Sequence, residues 1–66
     1  MIDKTMPVPE RLIAARGELS RQEAADALGI SVSAIAMYET GQRVPRDSIK
    51  PAMARLYRVS IEDLFY

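Results

Sequence analysis

The residues of this chain that could do chemistry fall into three short stretches. Arg21 and Gln22 directly follow Ser20, and Gln42, Arg43 and Arg46 gather within five positions further on. Side-chain N–H donors of this kind bind anionic oxygens, and phosphate is their natural ligand when they flank the start of a helix. The third stretch, Glu62-Asp63, resembles the carboxylate pair of an acid–base catalyst. Both residues fall in the first turn of an expected helix, where negative charge favours the helix dipole, and no base or cleft is in view to partner them. With no histidine and no cysteine among the 66 residues, no Cys–His or Ser–His arrangement is open and no thiolate or imidazole can ligate a metal. The expectation is a binding protein, not an enzyme, with no cofactor and no small-molecule ligand.

Nine basic and nine acidic residues cancel to a formal net charge of zero, which is unlike many nucleic-acid binders. The distribution is uneven: Arg43, Arg46, Lys50, Arg55 and Arg58 stand against the single acid Asp47 in the same stretch. A neutral chain can therefore carry a basic surface. The absence of cysteine fits a reducing compartment, no apolar run approaches the ~18 residues of a membrane-spanning helix, and residues 1–8 read as an N-terminal arm without a leader pattern. A cytoplasmic location is expected.

The elements that must position these residues are short helices. Pro7 and Pro9, then Gly17, Gly29, Gly41 and Pro45, punctuate segments whose apolar residues recur three or four apart, and no segment alternates as a strand would. Residues 9–66 are expected to form one all-α domain. A first helix opens at about Pro9 and stops at Gly17, turning Leu12, Ile13 and the Arg16 stem inward. The second opens with the capping box Ser20-Arg21-Gln22-Glu23 and ends at Gly29. The third follows the N-cap Ser31 and runs through Ile35 and Tyr38 to Gly41. Only Gly29-Ile30-Ser31 joins these two, which forces a steep crossing, and the small Ala24 and Ala25 allow the axes to approach. Pro51 sets the next start: with Ser48 as N-cap it becomes the third helical residue of a helix beginning at Ile49, and Met53, Leu56 and Tyr57 turn inward. A last short helix opens at Ser60 and buries Leu64 and Phe65.

The run from Leu19 to Ser31, with Ile35, Tyr38-Glu39-Thr40-Gly41, Pro45 and the closing Val59-Ser60-Ile61-Glu62-Asp63-Leu64-Phe65, resembles the phage-repressor and Cro family of helix-turn-helix regulators. The likeness covers Arg11 to Phe65. It implies a compact five-helix bundle of the lambda-repressor-like type that binds double-stranded DNA as a homodimer on a palindrome, with helix two across the backbone and helix three in the major groove. It implies phosphate contacts from Ser20, Arg21, Gln22, Gln42, Arg43 and Arg46. The positions matching the base-reading residues are Val32, Ser33, Ala36 and Met37, and here the chain departs from the pattern. One hydroxyl among apolar side chains replaces the arginine, glutamine or asparagine usual there, so thymine methyls and DNA shape would supply the discrimination. The resemblance also pairs Arg16 with Glu39, fixing the angle of helix three.

Two features leave a second reading open. Val32 and Met37 are equally suited to a protein contact, as in an antitoxin-like or antirepressor module with weak DNA binding. Leu64, Phe65 and Tyr66 either cover the core or form a dimer seam.

Overall fold

The structure, a computed structural model describing residues 2–66, contains five helices: α1 (Val8–Arg16), α2 (Arg21–Leu28), α3 (Val32–Glu39), α4 (Lys50–Tyr57) and α5 (Ile61–Phe65). The capping residues explain most boundaries. Ser20 accepts the Glu23 N–H at 3.0 Å while the Glu23 carboxylate accepts the Ser20 N–H at 2.8 Å, completing the box at the start of α2. Ser31 and Ser60 cap α3 and α5 by accepting the N–H groups of Ala34 and Asp63. Gly29 closes α2 in the left-handed region (φ 69°), and the Ile30 N–H reaches back to the Ala25 carbonyl at 3.0 Å.

Three boundaries differ from the sequence expectation. α1 starts at Val8, with Pro9 in its first turn. α3 ends at Glu39, because the Thr40 hydroxyl donates to the Ala36 carbonyl at 2.9 Å and the Gln42 N–H folds back onto the Met37 carbonyl. Ser48 does not cap α4: the N–H groups of Ile49 and Lys50 both bond the Arg46 carbonyl, so a backbone turn over residues 47–49 leads into a helix starting at Lys50, with Pro51 still inside the tolerant first turn. α4 ends on Arg58 at φ 60°, the only positive φ outside glycine among the described residues.

The core is built from Leu12, Ala24, Ala25, Ile35, Met53 and Leu64, with Tyr38, Tyr57 and Phe65 around them. Ala24 and Ala25 are fully buried where α2 lies on α3, as the close approach of the two axes requires. α1 packs on α3 and α5, and α4 on α5 and α2.

Ile13 does not turn inward; it is 44% exposed. The inward stripe of α1 runs instead through Val8, Arg11, Leu12 and Ala15, and its charged member disguises it. Arg11 is buried without a carboxylate partner: its guanidinium donates to the carbonyls of Lys4 (2.6 Å), Met6 (2.8 Å) and Asp63 (3.4 Å). It thereby ties residues 4–6 and the middle of α5 to α1. Leu64 and Phe65 lie in the core, which leaves Tyr66 as the exposed member of the aromatic end.

Candidate nucleic-acid interface

α3 divides cleanly into two faces. Ala34, Ile35, Tyr38 and Glu39 are buried, whereas Val32 and Ser33 are exposed and Ala36 and Met37 half-buried. The spacing i, i+1, i+4, i+5 puts each set on one side, so the four candidate base-reading residues form one contiguous strip. That strip is apolar apart from the Ser33 hydroxyl.

The donors expected at the start of α2 are all exposed there, and each has a partner within the chain. The Ser20 hydroxyl accepts its capping bond, and Gln22 Nε2 donates to Asp26 Oδ1 at 2.9 Å. Arg21, the first residue of α2, donates from Nε to Glu39 Oε1 at 2.9 Å. Arg16 meets the same carboxylate, Nε to Oε2 at 2.7 Å and Nη2 to Oε1 at 3.2 Å, and its Nη1 holds the Leu19 carbonyl at 2.7 Å. The Arg16–Glu39 pair suggested by the resemblance is thus present and extended by a second arginine. It is no surface pair either, since the Glu39 side chain is 1% exposed. Removing Arg16, the more buried of the two, leaves buried negative charge less compensated, a larger effect than breaking an exposed pair.

The electrostatics follow from these contacts. Donating to the Glu39 carboxylate holds the Arg16 guanidinium above its ordinary pKa, outweighing the opposing cost of burial. The Ser20 N–H, and then its hydroxyl, draw the Glu23 carboxyl below the usual carboxylate range, so the capping box is intact at neutral pH. Tyr57 on α4 feels the same cluster. Burial first, and then the Glu39 charge, push its phenol up to about 12.

Beyond α3 the chain doubles back. The N–H groups of Gln42 and Arg43 bond the Met37 carbonyl at 2.9 and 3.3 Å, which places both residues beside the last turn of α3, and Gln42 Nε2 donates to the Thr40 hydroxyl. Among the described residues, Arg43, Arg46, Arg55 and Arg58 have no carboxylate within bridging distance. Arg43 and Arg46 line an open groove of about 540 Å³ whose apolar wall includes Ile30, Ala34, Val44 and Ile49. Sequence reasoning located this loop but not the groove, which forms only when the loop folds back along α3. The bond from Arg21 to Glu39 was missed as well; its signal was two opposite charges at the facing ends of α2 and α3.

Two short helices joined by a three-residue turn, the second showing an uncovered face, have the architecture of a helix-turn-helix DNA-binding domain. The family comparison agrees: a model described as helix-turn-helix matches residues 10–64. The chain belongs to this Cro/C1-type family of DNA-binding transcriptional regulators. No curated protein and no solved structure matches it. Among the described residues, no helix is long and apolar enough to cross a membrane.

Proposed function

We propose that the protein is a repressor that occupies a palindromic operator as a homodimer. α3 lies in the major groove with Val32, Ala36 and Met37 against thymine methyls and Ser33 on a base edge. Ser20, Arg21, Gln22, Gln42, Arg43 and Arg46 hold phosphates on either side. The observation that carries this reading is the outward strip of α3, with Arg21 bonded to Glu39 and the Arg43 backbone bonded to Met37 at the last turn of the same helix. With so few polar groups on the strip, sequence discrimination is modest at each base and phosphate register supplies much of the affinity. Leu64 and Phe65 are committed to the core, so a dimer seam draws on the exposed Tyr66 and Val44.

The test is selection of bound duplexes from a randomised library at low and near-physiological salt, with sedimentation to count the chains on each duplex. A palindrome with half-sites about one helical turn apart, bound by two chains, is the expected result. Sequence-blind binding by a single chain refutes it. Docking of a protein partner is a second reading, favoured by Val44, 74% exposed on the apolar wall of the groove. A tight heteromeric complex combined with sequence-blind DNA binding would establish it.

A further inference from the structure

Three N–H groups from two arginines converge on the buried carboxylate of Glu39. One of those arginines suffices to neutralise it. Arg16 is the better placed, with two bonds and a side chain only 16% exposed, whereas the Arg21 side chain is 43% exposed. Arg21 bonds Glu39 through Nε, and no bond within the described residues takes up its two Nη groups. The surplus positive charge of the cluster therefore emerges on the Nη edge of Arg21, held in one orientation from behind.

We propose that Glu39 is a positioning residue for DNA binding, and that Arg21 acts as a bridge with its Nε edge on Glu39 and its Nη edge on a backbone phosphate. The proposal rests on the phosphate contact assigned above to Arg21. A guanidinium suits this role because its donors point along fixed directions in one plane, so a bond on one edge orients the other. A lysine ammonium cannot do the same. At the end of a flexible stem it serves either the carboxylate or the phosphate well, but not both. Arg43, with no carboxylate partner among the described residues, is the internal comparison: it meets phosphate as an unsupported charge, a role lysine fills nearly as well.

The experiment compares dissociation constants for one duplex at fixed salt. Arg21→Lys, which preserves charge, is expected to weaken binding about tenfold, while Arg43→Lys changes it less than about twofold. In a Glu39→Gln background the additional effect of Arg21→Lys is expected to shrink below about twofold, because the bridge has already lost its inner anchor. Any general gain or loss from removing the Glu39 charge cancels in that comparison, and a structural role for Glu39 would weaken both members of the pair equally. Thermal melts confirm that each variant is folded; if Glu39→Gln is not, the contrast between Arg21→Lys and Arg43→Lys remains decisive. Equal tolerance of lysine at both positions, with Arg21→Ala still weakening binding, overturns the bridge and leaves the phosphate contact standing. An Arg21→Ala variant with unchanged affinity and unchanged salt slope removes the phosphate contact itself.

Discussion

Replacing Tyr57 by phenylalanine should make this protein more stable. The phenolic oxygen of Tyr57 is the one buried side-chain polar atom among the described residues with no hydrogen-bond partner. Folding strips it of water without compensation, at a cost of about 1–3 kcal/mol. Phenylalanine keeps the ring that packs in the core and removes only the oxygen, so the cavity left is small. Tyr57→Phe is therefore expected to raise the unfolding free energy at neutral pH by about 1–2 kcal/mol, which in a domain of this size lifts Tm by roughly 5–10 °C. The same environment makes an alkaline prediction. The phenol titrates at 10.0 when unperturbed and at about 12 in the fold. The folded state thus holds its proton to higher pH than the unfolded state does. The associated stability is fully present below pH 10 and is lost as pH rises from 10 through about 12, amounting at most to about 2–3 kcal/mol. Urea denaturation followed by circular dichroism, at about pH 7 and across the alkaline range, measures both effects. The variant should be the more stable protein at neutral pH and should lack this alkaline loss. Destabilisation by more than about 1 kcal/mol at neutral pH would refute the reasoning, since it would mean that the hydroxyl makes a bond that folding depends on.

Other perturbations test the remaining parts of the fold. Arg58→Gly relieves a left-handed backbone at the end of α4 and should stabilise by about 0.5–1 kcal/mol, whereas the β-branched Arg58→Val should destabilise; thermal melts decide the sign of each. Ser20→Ala removes the cap of α2 and half of its box, with an expected loss of about 1 kcal/mol in denaturant titrations. Arg11→Ala deletes bonds to the carbonyls of Lys4, Met6 and Asp63 and should destabilise by about 2 kcal/mol, while speeding tryptic cleavage after Lys4 under native conditions. Arg43→Ala should reduce the slope of log affinity against log salt by about 0.9, as loss of one phosphate contact requires.

What could be read from the sequence was what is decided locally. The capping box at Ser20 and Glu23, the glycine end of α2 and the serine caps of α3 and α5 each depend on residues within a few positions, and each forms as the sequence indicates. The outward strip of α3 came instead from the resemblance to the Cro family, while Ile35 and Tyr38 were legible as its buried complement. Ile13 misled because hydrophobicity identifies an inward face only when every inward position is apolar, and α1 places Arg11 on that face. The carbonyls that receive Arg11 lie outside α1, in the turn before it and on α5, and no periodicity announces them. Ser48 misled differently: a serine before a helix is a good cap, but the Arg46 carbonyl was already positioned to take the same N–H groups. The aromatic end offered two fates, and only the packing of α5 on α1 and α4 decides that Leu64 and Phe65 face inward.

The latch made by Arg11 also bears on the order in which the chain folds. Contacts between α2 and α3 close short loops and can form early, whereas the bond from Arg11 to Asp63 joins residues 52 apart and must wait until α1 and α5 have met. A bond of that kind is expected to form after the transition state, so weakening it should leave the folding rate nearly unchanged and appear mainly as faster unfolding. The lifetime of the native state, as distinct from its equilibrium stability, is then expected to depend on a residue of α1 that takes no part in the face proposed to read DNA.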